Sequence, residues 1–164
     1  MDVNEKIVNC WLQNCKETFT MYDVEYDNYH SAIDILGVDL KSNIVYDIEV
    51  KFKAKIKIAD SDKKQNGYRH ITKQLLSKER EKVIQQLLSN KFNYTVKRIF
   101  VTTKRFLSVN KFDYWQNRFL NDGIEVWFFD DIVSELSELS SNLNKANDEI
   151  LQSLRMFNQF RNDA

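Results

Sequence analysis

Residues 31–54 read SAIDILGVDLKSNIVYDIEVKFKA. The stretch is rich in Ile, Val and Leu, yet Asp34, Glu49 and Lys51 occupy strand positions within it. Ionised side chains in a half-buried sheet are costly unless they are paired or neutralised by a cation. Either these charges lie on a solvated face, or the sheet is built to hold charge at one point.

The stretch reads as a β-hairpin, with strands over 32–39 and 44–58 and the four-residue loop LKSN between them. A loop centred between Lys41 and Ser42 sets Asp34 opposite Glu49, with Cβ atoms about 5 Å apart on one face. Two carboxylates that close repel unless a cation lies between them. Oxygen ligands suit Mg²⁺, and Mn²⁺ fits the same donors. Lys51 follows Glu49 by two residues and therefore emerges on the same face. Its ammonium could orient or activate a water, or balance charge developing on a phosphate. Asp47 shares this parity, and whether it joins the cluster stays open. Asp39 pairs with Ile44, too near the hairpin tip to take part. Further along, Phe52, Ala54, Ile56 and Ile58 take one parity while Lys51, Lys53, Lys55 and Lys57 take the other.

Before the hairpin, Ile7, Val8, Trp11, Leu12 and Cys15 form one arc, so residues 4–16 read as an amphipathic helix with Asn4 as its N-cap. Glu5 lies about 20° from Leu12 at 100° per residue. It can look toward the sheet, or serve as a first-turn glutamate favoured by the helix dipole. Residues 18–28 suggest an irregular or edge strand. Beyond the hairpin, the expected order is a long helix over 68–90, a strand over 95–107, and a short aromatic helix over 110–122. A strand over 124–130 follows, and then helices over 132–140 and 144–160. This alternation predicts an α/β sheet covered by helices on both sides.

The chain of 164 residues suits one domain, and with no proline and three glycines nothing marks a boundary. No apolar run reaches the roughly 20 residues that span a bilayer. The acidic start MDVNEKIVNC lacks a secretory pattern, so the expected location is cytoplasmic. Cys10 and Cys15 are too few for a metal cage or disulfide scaffold and read as buried thiols. The net charge of zero conceals an asymmetry: residues 51–105 carry sixteen Lys or Arg against four acids. Such a basic block between acidic flanks points to a polyanion partner. The alternative is a solvated strand and helix whose lysines fold back onto those flanks.

Asp34, then Glu49-Val50-Lys51 after an apolar strand, with Glu5 opening the first helix, resembles the PD-(D/E)XK nuclease superfamily. The pattern is similar in particular to the archaeal Holliday junction resolvase and Mrr-like branch. KRIFVTTKRF and GIEVWFFDDIVSEL are similar to the later core strands of that branch. The proline that often precedes the aspartate is replaced by Ile33, and the basic KFKAKIK extension is more pronounced than the pattern requires.

The resemblance implies a restriction-endonuclease-like mixed β-sheet flanked by helices over residues 1–140, with an added C-terminal amphipathic helix over 141–164. It also implies metal-dependent hydrolysis of a phosphodiester that leaves a 5′-phosphate. Asp34 and Glu49 would hold the metal, assisted by the Val50 carbonyl and by Glu5, and Lys51 would position the attacking water. Gln74 could touch the site or lie on the surface. Lys53, Lys55, Arg69, Lys73, Lys104 and Arg105 are candidate phosphate contacts. His30 and His70 have no spaced partner, and Tyr68, Tyr94 and Tyr114 read as packing aromatics or stacking platforms.

The expected function is a DNA endonuclease of repair, recombination or defence against foreign DNA. The alternatives are RNA cleavage, or a nuclease-like fold kept for binding or scaffolding. In the last helix, Leu143, Ile150, Leu154 and Phe157, with Leu151 and Phe160 beside them, form a stripe. A core with helices already on both faces leaves that stripe no obvious place, so a homodimer is expected, with packing on its own core as the alternative.

Overall fold

The computed structural model describes residues 2–26, 31–52, 58–60, 67–88, 93–108, 110–142 and 148–162, with side chains to 159. The first helix, α1 (Val3–Cys15), starts at a capping box. The Asp2 carboxylate accepts from the Asn4 and Glu5 amides, and Glu5 accepts from the Asp2 amide at 2.7 Å. The cap is therefore Asp2 rather than Asn4, because only Asp2 is answered by a glutamate three residues on. Val8, Trp11 and Leu12 are buried along one side of the helix.

Strands β1 (Phe19–Tyr26), β2 (Ser31–Asp39) and β3 (Ile44–Val50) form an antiparallel meander, with β1 at one edge of the sheet. The β2–β3 register is the expected one, running from Asp39↔Ile44 to Ile35↔Ile48. The turn enforces it. Asp39 accepts from the Lys41 and Ser42 amides, and Asn43 takes the left-handed conformation at φ 54°.

Two crossovers then add β4 (Thr95–Thr102) parallel to β3 and β5 (Ile124–Phe128) parallel to β4. The first carries α2 (Tyr68–Leu75) and α3 (Lys78–Leu87), and the second α4 (Lys104–Leu107) and α5 (Phe112–Asn121). Two helices follow β5, α6 (Phe129–Asn142) and α7 (Glu149–Asn162). The result is a five-stranded mixed sheet in the order β1-β2-β3-β4-β5. On one face Ile35, Ile48, Ile99 and Val101 meet α1, α6 and α7. On the other, Phe100 and Val126 meet α2, α4 and α5, while Leu36 and Val45 meet α3.

Four expected elements differ. The strand expected over 44–58 leaves the sheet after Val50. Lys51 still donates its amide to the Val101 carbonyl, but by Ile58 the chain donates instead to the Phe106 carbonyl. Ile58 is buried among the α2, α4 and α5 side chains. Residues 53–57, including Lys53 and Lys55, lie outside the described residues.

The helix expected over 68–90 breaks at Leu76–Ser77, because the Ser77 hydroxyl accepts the Arg80 amide and starts a new helix. The strand expected over 95–107 ends at Thr102 for the same kind of reason. Thr103 caps α4 and turns Phe106 and Leu107 into the core.

The fourth difference concerns α7, which packs on its own subunit. Leu151 is buried in the same cluster as Val8 and Leu136, with Ile150 and Leu154 against it. Asn158 and Ser137 exchange hydrogen bonds across the α6–α7 contact. Ile150, Leu151 and Leu154 are thus covered within one chain, where α7 docks on α6 and Leu151 reaches the core cluster. Phe157 stays 72% exposed. Leu143 and the Phe160 side chain lie outside the described residues.

Candidate functional site

The β2–β3 register, continued by one residue beyond Ile35↔Ile48, sets Asp34 against Glu49. The ladder does not continue there. The Val50 amide donates to Asp34 Oδ2 at 2.7 Å, so a carboxylate stands where a strand carbonyl would. Val50 itself ends β3 with its side chain in the core. Glu49 is 1% exposed and held at both oxygens. Lys51 Nζ lies 2.6 Å from its Oε1, and Arg80 Nη1 donates to its Oε2 at 2.8 Å. Asp34, Glu49 and Lys51 therefore meet at one half-buried end of the hairpin, as the spacing predicts.

Burial, followed by the negative charge of Glu49, pushes the Asp34 carboxyl up to about 7, against the pull of Lys51 and the Val50 amide. Burial works against the Lys51 charge too, but Glu49 and Asp34 outweigh it and hold the ammonium above its ordinary range. Burial likewise raises Glu5, whose charge acts on both Asp34 and Lys51. Glu5 thus closes the capping box, and its charge acts on the cluster.

Asp34 supplies a stability prediction. A carboxyl raised in the folded state keeps a proton that the unfolded chain has already released. Its contribution is therefore most favourable below the ordinary carboxylate range and is lost as pH rises through about 7. In EDTA, stability should fall by on the order of 4 kcal/mol between about pH 4 and pH 8, and Asp34→Asn should flatten the slope. Urea midpoints across that range measure it. A rising stability, or one that Asp34→Asn leaves unchanged, would contradict the assignment.

Asp47 does not join the cluster directly. It is buried beneath Arg80, which donates Nε to Asp47 Oδ1 at 2.8 Å and places Nη2 2.7 Å from the same oxygen. Arg80 is fully buried, also donates Nη2 to the Ile48 carbonyl at 3.2 Å, and lies under the Tyr26 ring. Sequence reasoning missed it. In one unbroken helix Arg80 would point about 180° from Ile71, whereas the break at Ser77 sets it one turn before buried Ile84.

Arg69 and Lys73 line one open groove of about 580 Å³ together with Tyr26, Tyr68, His70 and Gln74. Arg69 pairs with Asp60 at 3.1 Å, and Lys73 is exposed. The Gln74 side-chain oxygen and the Thr72 hydroxyl are buried there without a hydrogen-bond partner among the described residues. Lys104 pairs with Asp131 at 2.7 Å, away from this groove, and Arg105 is exposed beside it on α4. Tyr68 is a core ring whose hydroxyl donates to Asp122 and whose face carries the Arg118 guanidinium. His30 lies outside the described residues. Cys10 donates to Asp148 at 3.4 Å, and burial pushes its thiol up to about 12, which makes it inert at neutral pH.

Among the described residues no three His, Cys, Asp or Glu side chains form a ready metal cage. The charges at the hairpin nevertheless fit a divalent cation. Asp47 and Glu49 pair with Arg80, and Glu49 also with Lys51, whereas Asp34 has no ion pair among the described residues. Two carboxylates with room for water and substrate oxygens is a usual protein contribution for Mg²⁺. No family model, curated protein or solved structure matches the chain. No described helix is long and apolar enough to cross a membrane.

Proposed function

We propose that the chain is a metal-dependent nuclease of PD-(D/E)XK type, hydrolysing phosphodiester bonds in DNA. The observation that carries the reading is the meeting of Asp34, Glu49 and Lys51 where the β2–β3 ladder opens. Asp34 and Glu49 would hold Mg²⁺ or Mn²⁺, with the Val50 carbonyl and Glu5 beside them. Bound there, the ion would neutralise the phosphate and lower the pKa of a coordinated water. Lys51, anchored on Glu49, would hold the attacking water by donating to it and offset charge on the phosphate. Attack at phosphorus breaks the bond to the 3′ oxygen, which takes up a proton, and leaves a 5′-phosphate.

One observation favours a second reading, a binding module without catalysis. Both Glu49 oxygens already meet cations, as in a structural ion network. Incubation with linear, branched and single-stranded DNA, and with RNA, in Mg²⁺, Mn²⁺ or EDTA decides between them. Metal-dependent cleavage of DNA supports the nuclease. Binding without cleavage supports the module, and cleavage of RNA alone changes the substrate class.

On either reading the basic block should contact phosphates, and binding should weaken steeply with salt. Arg69→Ala combined with Lys73→Ala should lower the slope of log affinity against log salt by about 1–2. An unchanged slope would return both residues to a solvated face.

A homodimer, which would bring two sites to the two strands of a duplex, now rests on exposed Phe157 and Met156 rather than on the whole stripe. Light scattering at micromolar concentration should find a dimer that Phe157→Asp dissociates. The mass of one chain for the unaltered protein would end this part of the proposal.

A further inference from the structure

We propose that Arg80 is a positioning residue, clamping Glu49 so that its carboxylate stays fixed beside Asp34. The inference rests on the nuclease reading and goes beyond it, because Arg80 lies outside the D…ExK pattern.

An ion pair that served only to neutralise Asp47 would need one carboxylate and one guanidinium. Arg80 does more. Its Nε and Nη2 grip Asp47, Nη2 also meets the Ile48 carbonyl, and Nη1 is left to hold Glu49 Oε2 at 2.8 Å. Lys51 takes the other Glu49 oxygen at 2.6 Å. Held at both oxygens, the Glu49 carboxylate cannot rotate without breaking a charge-assisted bond. Each oxygen keeps a further lone pair that can face a cation.

Asp34 is held differently, by the Val50 amide at Oδ2 alone among the described residues. The two carboxylates are thus unequal: Glu49 is fixed and Asp34 can adjust. Asp47 completes the device. By sharing the guanidinium it keeps Arg80 from being spent on Glu49 alone. The clamp is rigid because α3 is anchored on both sides of Arg80, by the Ser77 cap and by buried Ile84. Residues that orient a metal ligand typically change affinity or activity 10–100-fold when removed.

The test uses Arg80→Met combined with Asp47→Leu, which removes the inner ion pair as a unit and leaves Glu49 with Lys51. Replacing a buried pair by apolar residues of similar volume is often neutral for stability. Urea unfolding should show a folded protein. Calorimetry should show Mn²⁺ bound about 10–100-fold more weakly. DNA cleavage should lose kcat with KM unchanged.

A folded double variant with unaltered Mn²⁺ affinity and kcat overturns the inference and leaves the nuclease reading standing. Should the double variant not fold, Arg80→Lys keeps the charge but cannot reach Asp47, Glu49 and the Ile48 carbonyl together. Unaltered Mn²⁺ affinity in Arg80→Lys then overturns the inference. An unaltered protein that neither binds Mn²⁺ nor cuts nucleic acid removes the nuclease reading, and the inference falls with it.

Discussion

Lys51→Ala should lower the rate of DNA cleavage by about 10²–10³-fold while leaving DNA affinity nearly unchanged. A donor aimed at charge that develops in the transition state is worth roughly that factor when removed. Affinity, by contrast, would be spread over the other exposed basic residues between positions 51 and 105, so the loss of one would be minor. The variant should also fold. Lys51 is 28% exposed, and its partner Glu49 keeps Arg80. A charged hydrogen bond lost at such a position costs about 1.5–3 kcal/mol. Single-turnover cleavage and a binding titration on the same preparation separate the two effects. Wild-type cleavage by Lys51→Ala would remove the lysine from the chemistry. A parallel loss of binding and cleavage would make it a phosphate contact instead.

The hairpin was legible because its information is local. The Asp39 side chain closes the turn on the Lys41 and Ser42 amides, the loop length sets the register, and the register sets Asp34 against Glu49. What was not legible depends on distant partners. The alternation of Lys51 to Ile58 satisfies a strand pattern, yet β3 ends at Val50 because Ile58 finds its partner at Phe106 instead. Ser77 and Thr103 are N-cap residue types, and each starts a new helix inside a span expected to be continuous. The break at Ser77 had the larger consequence for the site. It resets the helical phase and turns Arg80 inward against Glu49, while Lys78, Glu79 and Glu81 around it stay exposed. Asp47 shows the same limit. Parity placed it on the correct face, but only α3 shows that its charge is answered by Arg80 rather than left for a metal.

Arg80→Met alone should destabilise the protein by about 3–5 kcal/mol, more than any other single change considered. The reason is the group left behind. Arg80 is fully buried, and Asp47, 1% exposed, receives two of its nitrogens. Without the guanidinium, Asp47 is an ionised carboxylate under an apolar side chain, with water excluded. Glu49 suffers less, since Lys51 still holds its Oε1. The loss should therefore shrink as pH falls and Asp47 takes up a proton. Adding Asp47→Leu should recover most of it at neutral pH, because no unpaired charge then stays buried. Asp47→Leu alone should cost less than Arg80→Met, since Arg80 keeps Glu49 and the Ile48 carbonyl as partners. Urea unfolding of the three variants at neutral and acid pH tests the whole cycle. Equal stability of Arg80→Met and its Asp47→Leu double would mean that Asp47 does not depend on Arg80. The clamp on Glu49 would then lose its anchor in β3.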